Sequence, residues 1–420
     1  MPFSPQELTT LDQQHLWHPF TAMRQWCAPD HTPLMLVEGT GCTLRDQFGN
    51  EYLDGNASIW TNVHGHNHPA LNAAITAQLG RVAHTSFLGF THEPAIRLAK
   101  ELVDLLPGGK LTRAFFTDNG STAIESAVRM ALQYWKQNGA PQKDTLVAFD
   151  RAYHGDTLGA ASLGGIPLFK GSGNDFGYRV ITVPSLEALE SLSSAEQGRV
   201  AAIIIEPLIQ GAAGMRLWPQ GMLKALDGWC HAQDVFLILD EVMTGFGRTG
   251  RMFACEHENV VPDFLCLAKG LTGGYLPLAA TLTSERVFEG FLGEPHEGRT
   301  FFYGHSYAGS QLGCAAALAS LRIFREERVL EALPAKIERL GELMHGLPGA
   351  RQCGMIAAMT IDRPDDLSLG AKVCVAARKH GLLTRPVANT VVLMPPLCVT
   401  LEEIERMVAA LRKALADVVG

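Results

Sequence analysis

The chain has 420 residues, of which 47% are hydrophobic and 19% charged, and its formal net charge is -8. This length predicts two or three domains, or one large domain with a smaller satellite. The acidic balance excludes the basic surface that nucleic-acid binding needs. No apolar run approaches the ~18 residues of a membrane-spanning helix. Residues 1–10 lack the features of a signal peptide, and the nine cysteines form no CxxC pair. We therefore expect a cytoplasmic protein with reduced, mostly buried thiols and no membrane partner.

Residues 1–60 are expected to pack with the smaller domain, residues 61–310 to form the large domain, and residues 311–420 to form a small α+β domain. Short apolar runs alternate with amphipathic stretches between about residues 110 and 285, which is typical of an α/β fold with a mostly parallel sheet flanked by helices. The predicted elements are strands Arg113–Thr117, Thr145–Phe149, Ala201–Ile205, Val235–Leu239 and Phe264–Ala268, with helices Thr122–Lys136 and Met222–Ala232.

The C-terminal part begins with a predicted helix, Leu312–Glu326. Gly349–Ile361 and Thr390–Met394 have the composition of strands, and Glu294–Thr300 that of a loop. The last element is an amphipathic helix, Leu401–Leu415, preceded by Thr400 with Glu403 three residues later, the spacing of a capping box.

Three histidines alternate at positions 64, 66 and 68. Alternation could place their rings on one side of an extended segment as metal ligands, but no cysteine or carboxylate lies near in the sequence to complete a set. We therefore predict structural or substrate-loop histidines and no metal site.

The segment 117–122 ends a strand and opens a helix, so the amides of Gly120 and Ser121 lie where a helix start attracts an anion. An ordinary capping box between Thr122 and Glu125 explains the same segment equally well. After the next predicted strand comes Tyr153, followed by His154. Its ring could stack on an aromatic ligand, although such a tyrosine is more often part of a core.

Asp240 ends a fully apolar strand, and Lys269 ends another 29 residues later. Ligands of α/β sheets gather at the carboxyl ends of strands, and a lysine in that place is exposed, paired or chemically engaged, because removing an ammonium from water is costly. Pyridoxal phosphate requires both groups together: a carboxylate on the pyridine nitrogen and a lysine on the aldehyde. The two strand ends therefore predict a pyridoxal-phosphate enzyme.

With these residues in place, the chain resembles the fold-type I, class III aminotransferases along nearly its whole length. Residues 240–250, DEVMTGFGRTG, followed by Pro262, Asp263 and Lys269, match that family's signature. The glycines of this segment follow the aspartate instead of opening a first βα unit, and no GxGxxG is present, which argues against a dinucleotide site.

Within the family, four stretches are most similar to the branch that converts 8-amino-7-oxononanoate to 7,8-diaminononanoate in biotin biosynthesis. They are residues 15–21 (HLWHPFT), 60–66 (WTNVHGH), 153–157 (YHGDT), and 385–386 with 393–396 (RP and LMPP). Two further readings stay open: another class III aminotransferase acting on ω-amino acids or ornithine-like substrates, and an inactive scaffold with the same fold.

The resemblance implies a role for each site residue. Gly120 and Ser121 would bind the cofactor phosphate, Tyr153 would stack on the ring, and His154 would help to bind the cofactor. Asp240 would pair with the ring nitrogen, and Lys269 would hold the cofactor as a Schiff base. A homodimer is implied, because Gly304, His305 and Ser306 would reach the phosphate of the neighbouring subunit. The implied substrate-contacting residues are Phe20, Ile59, Trp60, Tyr153, Arg248, Gly304 and Arg385.

Arg385 would anchor the substrate carboxylate, for which a guanidinium is suited, and Arg248 would line the entrance. The amino donor stays open between S-adenosylmethionine and lysine. The S-adenosylmethionine branch commonly has Tyr and Trp where this chain has Phe20 and Ile59.

Overall fold

The computed structural model describes residues 3–106, 108–166 and 177–420. Its strands are β1 Leu36–Thr40, β2 Thr43–Asp46, β3 Glu51–Asp54, β4 Leu111–Thr117, β5 Thr145–Phe149, β6 Val180–Val183, β7 Val200–Ile205, β8 Ile209–Gln210, β9 Arg216–Leu217, β10 Phe236–Asp240, β11 Phe264–Leu267, β12 Ala279–Ser284, β13 Arg351–Cys353, β14 Ile356–Thr360, β15 Leu382–Leu383, β16 Pro386–Val387 and β17 Thr390–Leu393. In the part of the chain described, no helix is long and apolar enough to cross a membrane.

The helices are α1 Pro5–His15, α2 Met23–Trp26, α3 Ala57–Trp60, α4 Pro69–Leu79, α5 Glu93–Asp104, α6 Gly120–Gln137, α7 Leu158–Ser162, α8 Leu186–Glu190, α9 Ser194–Gln197, α10 Met222–Ala232, α11 Glu285–Glu289, α12 Gln311–Glu326, α13 Val329–Met344, α14 Leu369–Arg378 and α15 Leu401–Val419. Three short 3₁₀ turns lie at Ala254–His257, Lys269–Thr272 and Pro295–Glu297.

The central sheet has seven strands in the order β4-β12-β11-β10-β7-β5-β6. Strands β11, β10, β7, β5 and β6 run parallel to one another, whereas β12 is antiparallel to both β11 and β4. The expected strands are present, while β12 and β6 were not predicted. The mostly parallel sheet is confirmed, with one antiparallel strand inserted near its edge.

Residues on alternate positions of these strands enter two different cores. Leu237 and Leu239 belong to one apolar cluster, and Phe236 and Ile238 belong to the other, which also contains the buried face of α6. This period of two shows that both faces of the sheet are covered. Asp240 has the parity of Phe236 and Ile238, which places its side chain on the side of α6.

Two four-stranded sheets and one two-stranded sheet, β8-β9, are also present in the described chain. One four-stranded sheet pairs β1, β2 and β3 with β15, so that residues near the N-terminus join residues near position 382. The other is antiparallel, in the order β13-β14-β17-β16. The predicted single strand 349–361 is wrong, because Gly354, with φ +60, turns the chain back between β13 and β14.

The predicted capping box of the last helix is confirmed: Thr400 accepts a hydrogen bond from the amide of Glu403, and Glu403 accepts one from the amide of Thr400. The nine cysteines are free thiols, and six of them are buried. The Sγ atoms of Cys42 and Cys398 lie 3.6 Å apart, which is a contact between thiols and not a bond.

Candidate active site

The candidate site lies at one edge of the central sheet, where the parallel strands end. Asp240 is the last residue of β10, and Lys269 comes two residues after β11. These two strands are direct neighbours, with Asp240 opposite Cys266. The segments after β4, β5 and β7 end at the same edge, because all these strands run in one direction. The topology therefore brings the predicted residues 117–122, Tyr153, Asp240 and Lys269 to one region.

Asp240 is held by two hydrogen bonds. Its Oδ2 atom lies 2.7 Å from Nδ1 of His154, and its Oδ1 accepts the amide of Val242 at 3.1 Å. Asp240 is 6% exposed and His154 is 3% exposed. Nε2 of His154 is buried and has no hydrogen-bond partner among the described residues. The carboxylate is thus fixed in orientation by a buried imidazole from the neighbouring segment.

The side chain of Lys269 is partly exposed to solvent, but its amine is largely desolvated. Desolvation lowers the pKa of Lys269 to about 8, and the cation of Arg248 acts in the same direction; Asp240 and Glu206 oppose the shift. Nζ lies 4.6 Å from the centroid of the Trp60 ring. A lysine with this pKa is neutral about a tenth of the time at pH 7, far more often than an ordinary lysine, and only the neutral amine is nucleophilic.

Glu206 is a site residue that the sequence reasoning missed. It follows β7 directly and is buried, with Oε2 accepting the amide of Tyr153 at 3.2 Å and Oε1 the amide of Gly211 at 2.9 Å. Burial raises its pKa to about 7. The signal was available, since Glu206 ends an apolar strand just as Asp240 does.

The first turn of α6 presents free backbone donors. Asn119 caps the helix, because its side chain accepts the amide of Thr122 at 3.1 Å. Among the described residues, the amides of Gly120 and Ser121 donate to no partner. A Cβ on Gly120 would lie 2.7 Å from Cγ1 of Val242, so only glycine allows this close approach. The helix start has the donors and the dipole that bind an anion.

The alternative capping box between Thr122 and Glu125 is wrong, because α6 begins two residues before Thr122. Glu125 instead accepts the hydroxyl of Thr157 at 2.7 Å and the amide of Gly159 at 2.9 Å. It therefore fastens the segment that follows Tyr153 to α6. Tyr153 is half-buried, and its hydroxyl donates to Asp156 at 2.6 Å.

The segment 304–306 lies beside the start of α6 of its own chain. Nδ1 of His305 is 3.1 Å from Oδ2 of Asp118. Gly304 and Ser306 are exposed, and together with His84 and Leu88 they line an open cavity of about 580 Å³. Contact of these residues with a neighbouring subunit's phosphate stays a prediction.

The predicted substrate-contacting residues differ in their exposure to solvent. Trp60 lies at Lys269, and Ile59 next to it is 47% exposed. Phe20 is 68% exposed, and Arg385 is exposed between β15 and β16. Arg248 is 1% exposed and donates to the carbonyl of Pro395 at 2.5 Å, so the expectation that it lines an entrance is wrong.

The three alternating histidines face different partners. Nε2 of His64 lies 3.0 Å from Oγ of Ser320, Nε2 of His66 lies 2.9 Å from Oδ2 of Asp54, and Nε2 of His68 lies 3.1 Å from Oε1 of Glu327. Across the ranges described, no group of three His, Cys, Asp or Glu side chains is arranged to hold a metal ion. Each histidine thus contacts a different residue.

Trp60 reaches Lys269 from a strained turn. Ala57, Ser58 and Trp60 have φ values of 44°, 62° and 66°. Positive φ in a residue other than glycine costs on the order of 1–2 kcal/mol. Strain of this kind persists only where neighbouring contacts hold it.

Comparisons with known proteins agree with this geometry. A family model described as Aminotransferase class-III matches residues 26–415. The adenosylmethionine-8-amino-7-oxononanoate aminotransferase of Geobacter sulfurreducens is 44% identical, and the match covers 100% of this chain and 99% of that protein.

Two solved structures are similar over almost the whole chain. The adenosylmethionine-8-amino-7-oxononanoate aminotransferase of Methanocaldococcus jannaschii has 36% identity and a TM-score of 0.95, covering 99% of this chain and 100% of that chain. An amine transaminase from an uncultivated Pseudomonas species, in its PLP-bound form, has 31% identity and a TM-score of 0.88, covering 96% of this chain and 99% of that chain.

Proposed function

The chain belongs to the class III aminotransferases, and we propose that it transfers an amino group to 8-amino-7-oxononanoate, giving 7,8-diaminononanoate for biotin synthesis. The expected fold-type I architecture is confirmed by the likeness to solved transaminases. The observation that supports the reaction is the pairing of Asp240 and Lys269 at the ends of neighbouring parallel strands, with a lowered lysine pKa.

The residues present fit pyridoxal phosphate. The partnerless amides of Gly120 and Ser121 would hold its phosphate, the carboxylate of Asp240 its ring nitrogen, and Nζ of Lys269 its aldehyde carbon. Tyr153 would cover one face of the ring. When bound, this cofactor supplies an electron sink for the carbon that gains or loses the amino group.

Each site residue has a separate task in the transfer. Lys269 would hold the cofactor through Nζ, and the same atom would carry a proton to and from the reacting carbon. Asp240 would hold a proton at the ring nitrogen, and the hydrogen bond to His154 fixes the orientation of Asp240. Glu206 holds the amide of Tyr153 and thereby the position of its ring.

The acceptor has a long aliphatic chain that ends in a carboxylate. Trp60 packs against a buried apolar cluster that contains Met215 and Met243, which suits an aliphatic chain. We assign the carboxylate to Arg385, which is exposed and has no hydrogen-bond partner among the described residues. This arrangement leaves Lys269 at the oxo and amino end of the substrate.

The proposed active unit is a homodimer. Leu88 is 73% exposed, Phe90 72% and Phe302 82%. Leu88 lines the same cavity as Gly304 and His305. Large exposed apolar side chains of this kind mark an interaction surface. A second copy covering this surface would bring residues 304–306 to the phosphate of its partner.

S-adenosylmethionine is the amino donor we propose, and lysine is the alternative. The experiment is a donor screen with purified holoenzyme and 8-amino-7-oxononanoate as acceptor, read out as diamine formed. If neither donor gives the diamine, the proposal that 8-amino-7-oxononanoate is the acceptor is wrong. Transfer to ω-amino acids or ornithine-like substrates instead would favour another class III reaction, which the likeness to an amine transaminase also supports.

Lys269→Ala tests the cofactor assignment. We expect the variant to lose both turnover and the visible absorbance of the bound cofactor, because Nζ of Lys269 is the amine proposed to hold it. Lys336→Ala is a matched control, since Lys336 is also partly buried but donates to the carbonyl of Leu397. A yellow, active Lys269→Ala enzyme would refute the assignment.

A further inference from the structure

One buried carboxylate holds the strained turn that carries Trp60. Asp54 ends β3 and is 2% exposed. The amide of Ser58 donates to its Oδ1 at 3.0 Å and to its Oδ2 at 2.8 Å, and the amide of Asn56 donates to Oδ1 at 3.2 Å. These are amides of the turn itself, so Asp54 fixes the backbone that leads into Trp60.

A chain of hydrogen bonds from Thr61 through Asn62 and His66 orients the carboxylate of Asp54. The hydroxyl of Thr61 donates to Oδ1 of Asn62 at 2.7 Å, which directs Nδ2 of Asn62 toward Nδ1 of His66 at 3.2 Å. Since Nδ1 of His66 accepts, Nε2 carries the proton and donates to Oδ2 of Asp54 at 2.9 Å. Each of these three hydrogen bonds thus has a defined donor and a defined acceptor.

Trp60 is fixed through its indole and through its backbone amide. Its Nε1 donates to Oδ1 of Asn56 at 3.0 Å, and its backbone amide donates to the carbonyl of Asn56 at 2.9 Å. On the opposite side, Nζ of Lys269 lies 4.6 Å from the ring centroid. Any change in the turn therefore moves an aromatic surface that contacts the reactive amine.

Asp54 also faces a buried cation. Burial lowers the pKa of Arg248 to about 10, and the negative charge of Asp54 acts against that shift. Asp54 therefore offsets part of the cost of enclosing Arg248 beside Lys269. Asp54 thus has two separate effects: it stabilises the strained backbone of the turn, and its charge opposes that of the buried Arg248.

We propose that Asp54, oriented by His66, is a positioning residue that holds Trp60 against Lys269 and so fixes the substrate wall formed by Ile59 and Trp60. The inference deepens the proposed function and rests on it, because that wall matters only if a substrate lies beside Lys269. It gives His66, one of the three alternating histidines, a defined task.

The test compares Asp54→Asn with Asp46→Asn. Asp46 is also 2% exposed and accepts hydrogen bonds from the amides of Phe48 and Asn50, but it contacts no residue of the turn. Both replacements keep the shape and remove the charge. We expect Asp54→Asn to raise the KM for the acceptor 8-amino-7-oxononanoate about tenfold, the loss of one charge-assisted hydrogen bond, with a smaller effect on kcat. Asp46→Asn should lower only the Tm.

A readout without substrate separates this inference from the proposed reaction. The near-ultraviolet circular dichroism of Trp60 is the difference between the wild-type protein and Trp60→Phe, both without cofactor. Asp54→Asn should lose this difference, and Asp46→Asn should keep it. An absence of transfer to 8-amino-7-oxononanoate in the wild type would overturn the proposed substrate and leave this readout valid.

A double variant decides whether Asp54 acts through Trp60. If it does, Asp54→Asn combined with Trp60→Phe should have the same KM as Trp60→Phe alone. Additive effects, or an unchanged dichroism and KM in Asp54→Asn, would overturn the inference. Should Asp54→Asn not fold, His66→Phe, which removes only one donor to Asp54, must shift both readouts in the same direction by a smaller amount; no shift would overturn the inference equally.

Discussion

The reactivity of Lys269 should depend on pH in a range set by its surroundings. Desolvation brings its pKa from 10.5 to about 8, against the attraction of Asp240 and Glu206. At pH 7 about one amine in ten is then neutral, whereas an ordinary lysine has about one in three thousand. The structure therefore predicts a gain of roughly 300-fold in the reactive form.

The assay is the rate at which the apoprotein captures pyridoxal phosphate, followed by absorbance between about pH 6 and 10. The rate should rise about tenfold per pH unit at low pH and level off above about 8. Asp240→Asn removes an attraction that raises the pKa of Lys269, so its profile should shift to lower pH. A rate that still climbs steeply near pH 10 would show that the amine is not desolvated.

The same shift affects the stability of the apoprotein. The pKa of Lys269 is lower in the folded than in the unfolded chain, so the unfolded chain binds more protons between about pH 8 and 10.5. The contribution of Lys269 to the free energy of unfolding therefore rises with pH in that window. Lys269→Met should remove this contribution, measured by urea unfolding at the two ends of the window; an identical pH dependence in both proteins would contradict the assigned shift.

Gly120→Ala should weaken cofactor binding, because the new Cβ would lie 2.7 Å from Cγ1 of Val242 and displace the start of α6. Gly228→Ala is its control: nothing lies within 4 Å of that Cβ within α10, so it should stabilise the protein by about 0.5–1 kcal/mol. Equal cofactor affinity in the two variants, measured by titration, would contradict the close approach. Thr400→Ala removes the cap of α15 and should cost about 1 kcal/mol in urea unfolding without changing activity; unchanged stability would show that Glu403 alone secures the helix start.

The strands were predictable where an apolar run was bounded by clear turn signals. Strands β5, β7, β10 and β11 lie within a residue or so of their predicted ends. Strand β12 was missed because its residues, Ala279–Ser284, are small or hydroxylated apart from Leu282 and are buried on both faces, which leaves no alternation to detect. The hairpin 351–360 was read as one strand because its turn has only two residues, Gly354 and Met355.

The sequence was sufficient to predict which strand ends form the candidate site. Asp240 and Lys269 follow apolar runs, and the rule that ligands gather at carboxyl ends was sufficient to bring them together. The contact between His154 and Asp240 joins residues 86 apart, and no local pattern encodes such a distance. Arg248 was placed wrongly because a sequence does not show which arginines are enclosed.

The pairing of β3 with β15 has a consequence for how the protein is made. Its partners, Leu53 with Leu382 and Asp54 with Leu383, are separated by more than three hundred residues of chain. During synthesis, more than three hundred further residues must be added before β15 can pair with β3, and long-range pairing of this kind is slow. The turn with Trp60 directly follows β3, so the wall beside Lys269 should be among the last parts of the nascent chain to mature.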